Sequence, residues 1–203
     1  MHKLIPVALL LALSLGLNAC STGAKTEASA PDTSTTDYPS LVKKYSANAQ
    51  KYDGFHATFE VHATILNSEV NVAILDQRTK FLSWTPEQQR QEREKSFQEM
   101  AAYSKIFMSF YSPENDYDDL SKPNSMWKVY LETNGQRYEG KVKKDLNKMA
   151  ELRQLYPYID RFRTLYNVTF EVPMSAVEQQ TAIFTLTSSL GTASFEFPPV
   201  GSK

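Results

Sequence analysis

Polar and apolar positions along this chain change period several times, and each change marks an element. From Phe55 to Leu66 the residues Phe55, Ala57, Phe59, Val61, Ala63 and Ile65 alternate with His56, Thr58, Glu60, His62 and Thr64. A period of two held this long, rich in β-branched and aromatic side chains, predicts a strand with one buried face. Ser104 to Tyr111 alternates too, with Ile106, Met108 and Phe110 on one side. A continued helix also fits that stretch, but its aromatic content and the Ser112-Pro113 stop favour a strand. Between Met126 and Lys143, Asn134-Gly135 predicts a type I′ hairpin, because both central residues tolerate positive φ. Counting outward, Glu132 faces Arg137, Leu131 faces Tyr138, Val129 faces Gly140 and Trp127 faces Val142. Three more strands follow, carried by Tyr166, Val168, Phe170 and Val172, by Ala182, Phe184 and Leu186, and, after a turn at Leu190-Gly191, by Ala193, Phe195 and Phe197.

Helical spacing fills the gaps. Leu41, Val42, Tyr45, Ala49 and Tyr52 predict a helix over Tyr38 to Tyr52, with Pro39 in its first turn and Asp53-Gly54 as its stop. Asn67 or Ser68 caps a second, whose inner stripe is Val70, Ala73, Ile74 and Phe81. Thr85-Pro86-Glu87 opens a third, polar from Gln88 to Ser96 and apolar from Phe97, Met100 and Ala101 onward, so its first half stands in solvent. Asp145 caps a fourth, with Leu146, Met149, Leu152 and Tyr156 inward and Pro157 as the stop. About seven strands and about four helices predict a mainly β fold, an antiparallel β-sandwich decorated by helices, over residues 38–199. The helical pair between the first two strands reads as an insertion or as a cover over one sheet edge.

Met1 to Cys20 is patterned differently. His2 and Lys3 precede an apolar run from Leu4 to Leu17, and Leu17-Asn18-Ala19-Cys20 closes it. That order is a secretory signal peptide over residues 1–19. The run, broken by Pro6, Ser14 and Gly16, is short against the roughly 20 residues a spanning helix needs. Leu17 to Cys20 resemble the lipobox of bacterial lipoprotein precursors, with an aliphatic residue three before the cysteine and a small one just before it. The resemblance implies cleavage ahead of Cys20 and lipidation of Cys20, which anchors the chain to a membrane of the bacterial cell envelope. Ser21 stands where an aspartate tends to retain such proteins at the inner membrane, so the resemblance implies the outer membrane and leaves the leaflet open. Residues 20–37, mostly Ser, Thr and Ala, read as a flexible tether with a reach of roughly 20–25 Å.

Composition adds limits. Cys20 is the single cysteine, so the domain relies on burial and hydrogen bonds without disulfides or thiolate chemistry. With 22 basic and 23 acidic residues the chain has no basic excess, which excludes a nucleic-acid partner.

Candidate chemistry is sparse. His56, Glu60 and His62 share one face of a strand, where Glu60 and His62 come within chelating reach if a neighbour adds a ligand; with only these ligands to name, the polar outer face of a half-buried strand is the better explanation, and no metal is expected there. Asp116, Asp118 and Asp119 belong to an acidic loop that could bind calcium through hard oxygen ligands, although it lacks EF-hand spacing and glycine. Glu151, Asp160, Arg161 and Arg163 flank the Tyr156-Pro157-Tyr158 turn as structural ion pairs. Ser104, Ser109, Ser188 and Ser189 lack a nucleophile elbow, and no phosphate-cradling glycine loop occurs. Tyr156, Tyr158 and Trp127 stand out among the aromatics as ligand or partner contacts. No catalytic constellation emerges. The leading expectation is therefore a non-enzymatic interaction or scaffold module for an envelope protein. The alternatives are a carrier or binder of a lipid, glycan or other small molecule, and an envelope hydrolase or metal-dependent enzyme.

Overall fold

The computed structural model describes residues 37–202. The signal peptide, Cys20 and the tether, apart from Asp37, lie outside the described residues. Those described belong to one compact unit, and none of their helices is long and apolar enough to cross a membrane.

Along the chain run α1 (Tyr38–Lys44), β1 (Ser46–Asp53), β2 (His56–Ile65), α2 (Ser68–Leu82), α3 (Pro86–Ala102), β3 (Ser104–Tyr111), β4 (Lys128–Thr133), β5 (Gln136–Glu139), β6 (Lys141–Lys144), α4 (Met149–Leu155), β7 (Thr164–Phe170), α5 (Met174–Val177), β8 (Ala182–Ser188) and β9 (Gly191–Phe197). The strands form two sheets, ordered β1-β2-β3-β7-β6 and β5-β4-β8-β9, and every pairing is antiparallel. This is the expected mainly β sandwich with helices. The alternating residues do what their period requires: Phe59, Val61, Ala63, Ile106, Met108, Phe110, Val168 and Phe170 are buried on the first sheet, and Leu131, Phe184, Leu186, Ala193 and Phe197 on the second.

Aromatic rings lock the two sheets together. Trp127, just before β4, meets Phe59 and Phe110 edge-on, each at 4.9 Å, and Phe170 meets Phe184 edge-on at 6.2 Å. The Trp127 Nε1–H also donates to the Tyr117 carbonyl at 2.8 Å. Trp127 is thus a core residue, only 5% exposed, and not the surface contact expected of it.

Three other expectations need correction. The helix over Tyr38 to Tyr52 ends at Lys44, and Ser46–Asp53 is a strand paired with β2. The Ser46 hydroxyl caps the helix by donating to the Val42 carbonyl at 2.6 Å. Ala47 and Ala49 are half-buried between exposed Asn48 and Gln50, so small residues hid a period of two inside a pattern that also fits a helix. Asp53-Gly54 then begins a hairpin turn, with Asp53 opposite His56 and Gly54 at φ 59°. The second hairpin keeps its Asn134-Gly135 turn, with φ of 54° and 72°, and its register from Glu132–Arg137 to Tyr130–Glu139. It does not reach Trp127–Val142, because the chain changes sheet at Gly140 and Val142 pairs with Val168. A Cβ at Gly140 would lie 2.7 Å from both Phe170 and Val129, so the corner requires glycine. Leu146, expected inward, is 91% exposed, since α4 starts three residues later and Asp145 instead accepts from Asn147 and Asn167.

The α2–α3 hairpin follows its sequence signals. Asn67 accepts from the Val70 N–H at 2.9 Å, and Thr85 and Gln88 form a capping box. The two helices meet through Asp76 with Arg93 at 3.0 Å and Ser96 with Asn71 at 2.9 Å. None of the α3 side chains is buried, so its solvent exposure extends past the half expected.

Candidate functional site

Strand register assembles the first site on the outer face of the five-stranded sheet. Ser46, Thr64 and Phe107 stand side by side; Asn48, His62, Ser109 and Leu165 form the next row; Gln50, Glu60 and Tyr111 the one after. The turn after α4 folds over these rows. Tyr156 stacks on Phe107 at 3.8 Å with planes 3° apart, and Tyr158 stacks on His62 at 5.0 Å and 12°. Tyr156 is buried and serves this packing, a correction to its expected role as a surface contact. Tyr158 is half-buried and faces a cleft.

Hydroxyls connect the layers. The Tyr158 hydroxyl lies 2.6 Å from Thr64 Oγ1, which lies 2.6 Å from Ser46 Oγ. Because Ser46 spends its proton on the Val42 carbonyl, Thr64 must donate to Ser46 and Tyr158 to Thr64. Burial raises the Tyr158 hydroxyl's pKa well above that of ordinary tyrosine, which keeps it protonated as this chain requires.

His62 is half-buried. Desolvation, with help from the Arg163 charge, pulls its pKa below the usual histidine value, against smaller upward pulls from Glu60 and Asp160. Its imidazole is accordingly neutral at pH 7. Arg163 holds the turn by donating through Nε to Asp160 at 3.0 Å and through Nη2 to Glu60, while Gln50 donates to the other Glu60 oxygen. Desolvation raises the Asp160 pKa, but hydrogen bonds from the Phe162 N–H and Arg163 outweigh it and leave the pKa lowered. The buried Nη1 of Arg163 and Oγ of Ser109 lack partners among the described residues.

A cleft of about 510 Å³ opens beside this cluster. Pro39, Val42 and Lys43 of α1 form one wall and Pro157, Tyr158 and His62 the other, with Ser46, Ala47 and Asn48 of β1 between them. A smaller, more polar cavity of about 240 Å³ lies between α2, α3 and the sheet, with Arg78 and Lys95 on its lining and Tyr156 beneath.

The second site is the end of the same sheet where β1 turns into β2. Phe55 is fully exposed, Tyr52 57% and Phe162 70%. Phe162 belongs to that end because β7 begins two residues later opposite Phe110 and Arg163 is bonded to Glu60. The Arg161 guanidinium lies over the Phe162 ring at 5.2 Å.

The expected metal ligands do not converge. His56 is exposed at the turn end of β2, Glu60 is engaged by Gln50 and Arg163, and His62 stacks on Tyr158. In the acidic loop Asp119 accepts from Ser121 twice and from Lys144 at 2.8 Å. Desolvation opposes ionisation of Asp119, but these bonds prevail and hold its pKa at about 2. Asp116 is exposed, and Asp118 uses its carbonyl to accept from Tyr166. Among the described residues no group of three or more His, Cys, Asp or Glu side chains is placed to hold a metal ion.

Lys43, Ser46 and Asn48 went unnoticed as site residues because they sit in a segment whose periodicity fits a helix. The aromatic end was legible in principle, since Tyr52 and Phe55 flank an Asp-Gly turn.

The chain matches no protein-family model, no curated protein and no solved structure.

Proposed function

We propose that this domain is the non-enzymatic docking module of a lipid-anchored bacterial envelope protein, and that it holds a partner protein through the aromatic end of its five-stranded sheet. The observation that carries this reading is the exposure of Phe55, Tyr52 and Phe162 at that end of the sheet. α1 leads directly into the start of β1. Tyr52 and Phe55 are at the other end of that eight-residue strand, about 25 Å away at the usual rise per residue.

The composition of that end suits a protein contact. Three exposed aromatic rings, with Lys51, Asp53, His56, Asp160 and Arg161 next to them in sequence, supply the aromatic anchors and polar neighbours that protein interfaces favour. The space between the sheets offers less to a carrier, because Trp127, Phe59, Phe110, Phe170 and Phe184 fill it ring against ring.

The test is purification of the full-length lipoprotein from host membranes in mild detergent, as wild type and as Phe55→Ser with Phe162→Ser. A stoichiometric envelope protein retained by the wild type and lost from the double variant supports the reading. Retention by both overturns it.

A further inference from the structure

We infer that the cleft between α1, β1 and the Tyr158 turn is a binding site for a small molecule with a flat apolar body and one anionic end. The inference does not depend on the aromatic end, which lies at the far end of β1.

Size and lining fit such a ligand. At about 510 Å³ the cleft falls within the roughly 300–1,000 Å³ typical of small-molecule sites. Its walls are two proline rings, Val42 and the stacked His62–Tyr158 pair. Flat walls of ring and pyrrolidine carbon favour a planar body, which gains contact area without losing rotatable bonds. The pair is rigid, because the Tyr158 hydroxyl is tied through Thr64 to Ser46 and Arg163 anchors the following turn to β2. The wall is therefore formed before any ligand arrives.

Charge decides the other end. The chain as a whole has more acidic than basic residues, yet among the described residues the cleft lining contains no carboxylate and one cation, Lys43. Lys43 makes no ion pair among the described residues, whereas its neighbour Lys44 donates to the Ser202 carbonyl. Asp37, the nearest acid in sequence, accepts from Ser40. At the sheet end of the cleft Asn48 stands opposite His62 in register. The neutral imidazole adds one donor and one acceptor without adding charge. A carboxylate or sulfonate at Lys43, with an aromatic body against Tyr158, uses all of these features.

The experiment is calorimetric titration of the full-length lipoprotein in detergent micelles with sodium 2-naphthoate, repeated with uncharged 2-naphthylmethanol. Partition into the micelle is common to every variant, so differences between variants report the protein. Wild type is expected to bind one naphthoate per chain and to bind the alcohol at least about tenfold more weakly. Asn48→Trp, an exposed substitution that places an indole across the cleft, is expected to abolish binding. Lys43→Glu, also exposed, is expected to weaken naphthoate at least about tenfold and leave the alcohol unchanged. Phe55→Ser is expected to change neither. Absence of saturable binding by wild type, or binding indifferent to Asn48→Trp, overturns the site. Equal affinity for acid and alcohol overturns its anionic specificity.

Discussion

Tyr158 lies flat against His62, ring centroids 5.0 Å apart, while its hydroxyl bonds Thr64 two residues further along the same strand. One side chain thus fixes the turn after α4 to β2 by both its face and its tip. Tyr158→Phe removes the tip alone and is expected to cost about 1 kcal/mol, the usual net worth of a hydrogen bond. Tyr158→Ala also removes the ring and is expected to cost about 3 kcal/mol. Urea unfolding at pH 7 measures both, and the midpoint should fall with the slope unchanged.

Arg163 reaches Glu60 and Asp160 from a side chain that is 12% exposed. Asp160 is 49% exposed and Glu60 23%, so losing the guanidinium strands chiefly Glu60, and Arg163→Ala should destabilise by about 1–3 kcal/mol. Arg163→Lys should recover only part of this, because an ammonium cannot present two donors in a fixed fork to two carboxylates. Equal stability of wild type and Arg163→Lys in the same unfolding assay would contradict this account of the turn.

His62 makes stability depend on pH. Desolvation, then Arg163, lowers its folded pKa, and Glu60 and Asp160 pull it back in part. The unfolded imidazole, with a pKa of about 6.5, therefore binds protons that the folded one refuses. Stability is intact above that value and falls as pH drops below it. Asp160 and Asp119 are shifted below ordinary carboxylates, so their stabilisation is lost in a lower window, beneath about pH 4. His62→Phe keeps a ring against Tyr158 and removes the titration. Between pH 7.5 and 5.5 its thermal midpoint should decline less than that of wild type; parallel declines would contradict the assignment.

Two glycines should answer differently to alanine. At Gly140 the new methyl would meet Val129, Val168 and Phe170 at 2.7–2.8 Å, and overpacking of this kind costs about 1–3 kcal/mol. At Gly54 nothing lies within 4 Å and the penalty comes from φ of 59° alone, about 1 kcal/mol. Gly140→Ala should also loosen β6 from β7, which hydrogen exchange at Val142 and Lys143 would show as faster exchange than in Gly54→Ala.

The sandwich was legible wherever the period of two was carried by large side chains, as in Phe59-Val61-Ala63 and Phe184-Leu186. It was hidden in Ser46–Asp53, where alanines bury too little area to distinguish a strand from a helix. The sheet change at Gly140 was hidden because a hairpin pattern continues locally whichever sheet its second strand joins. Tyr158 and His62 could be singled out as unusual residues, but their stacking depends on a turn that crosses three strands, and no local pattern encodes that. Trp127 could not be told from a surface aromatic, since its burial comes from Phe59 and Phe110 on the opposite sheet.

The most direct test of the docking reading is site-specific crosslinking in intact host cells, with a photoreactive phenylalanine placed in turn at Phe55, Phe162 and Lys128. Lys128 is exposed on the outer face of the other sheet and serves as the control. The account predicts one discrete protein adduct, the same from Phe55 and Phe162, absent from Lys128 and lost when the opposite aromatic is changed to serine. Adducts to lipid alone, or equal adducts from all three positions, would contradict it.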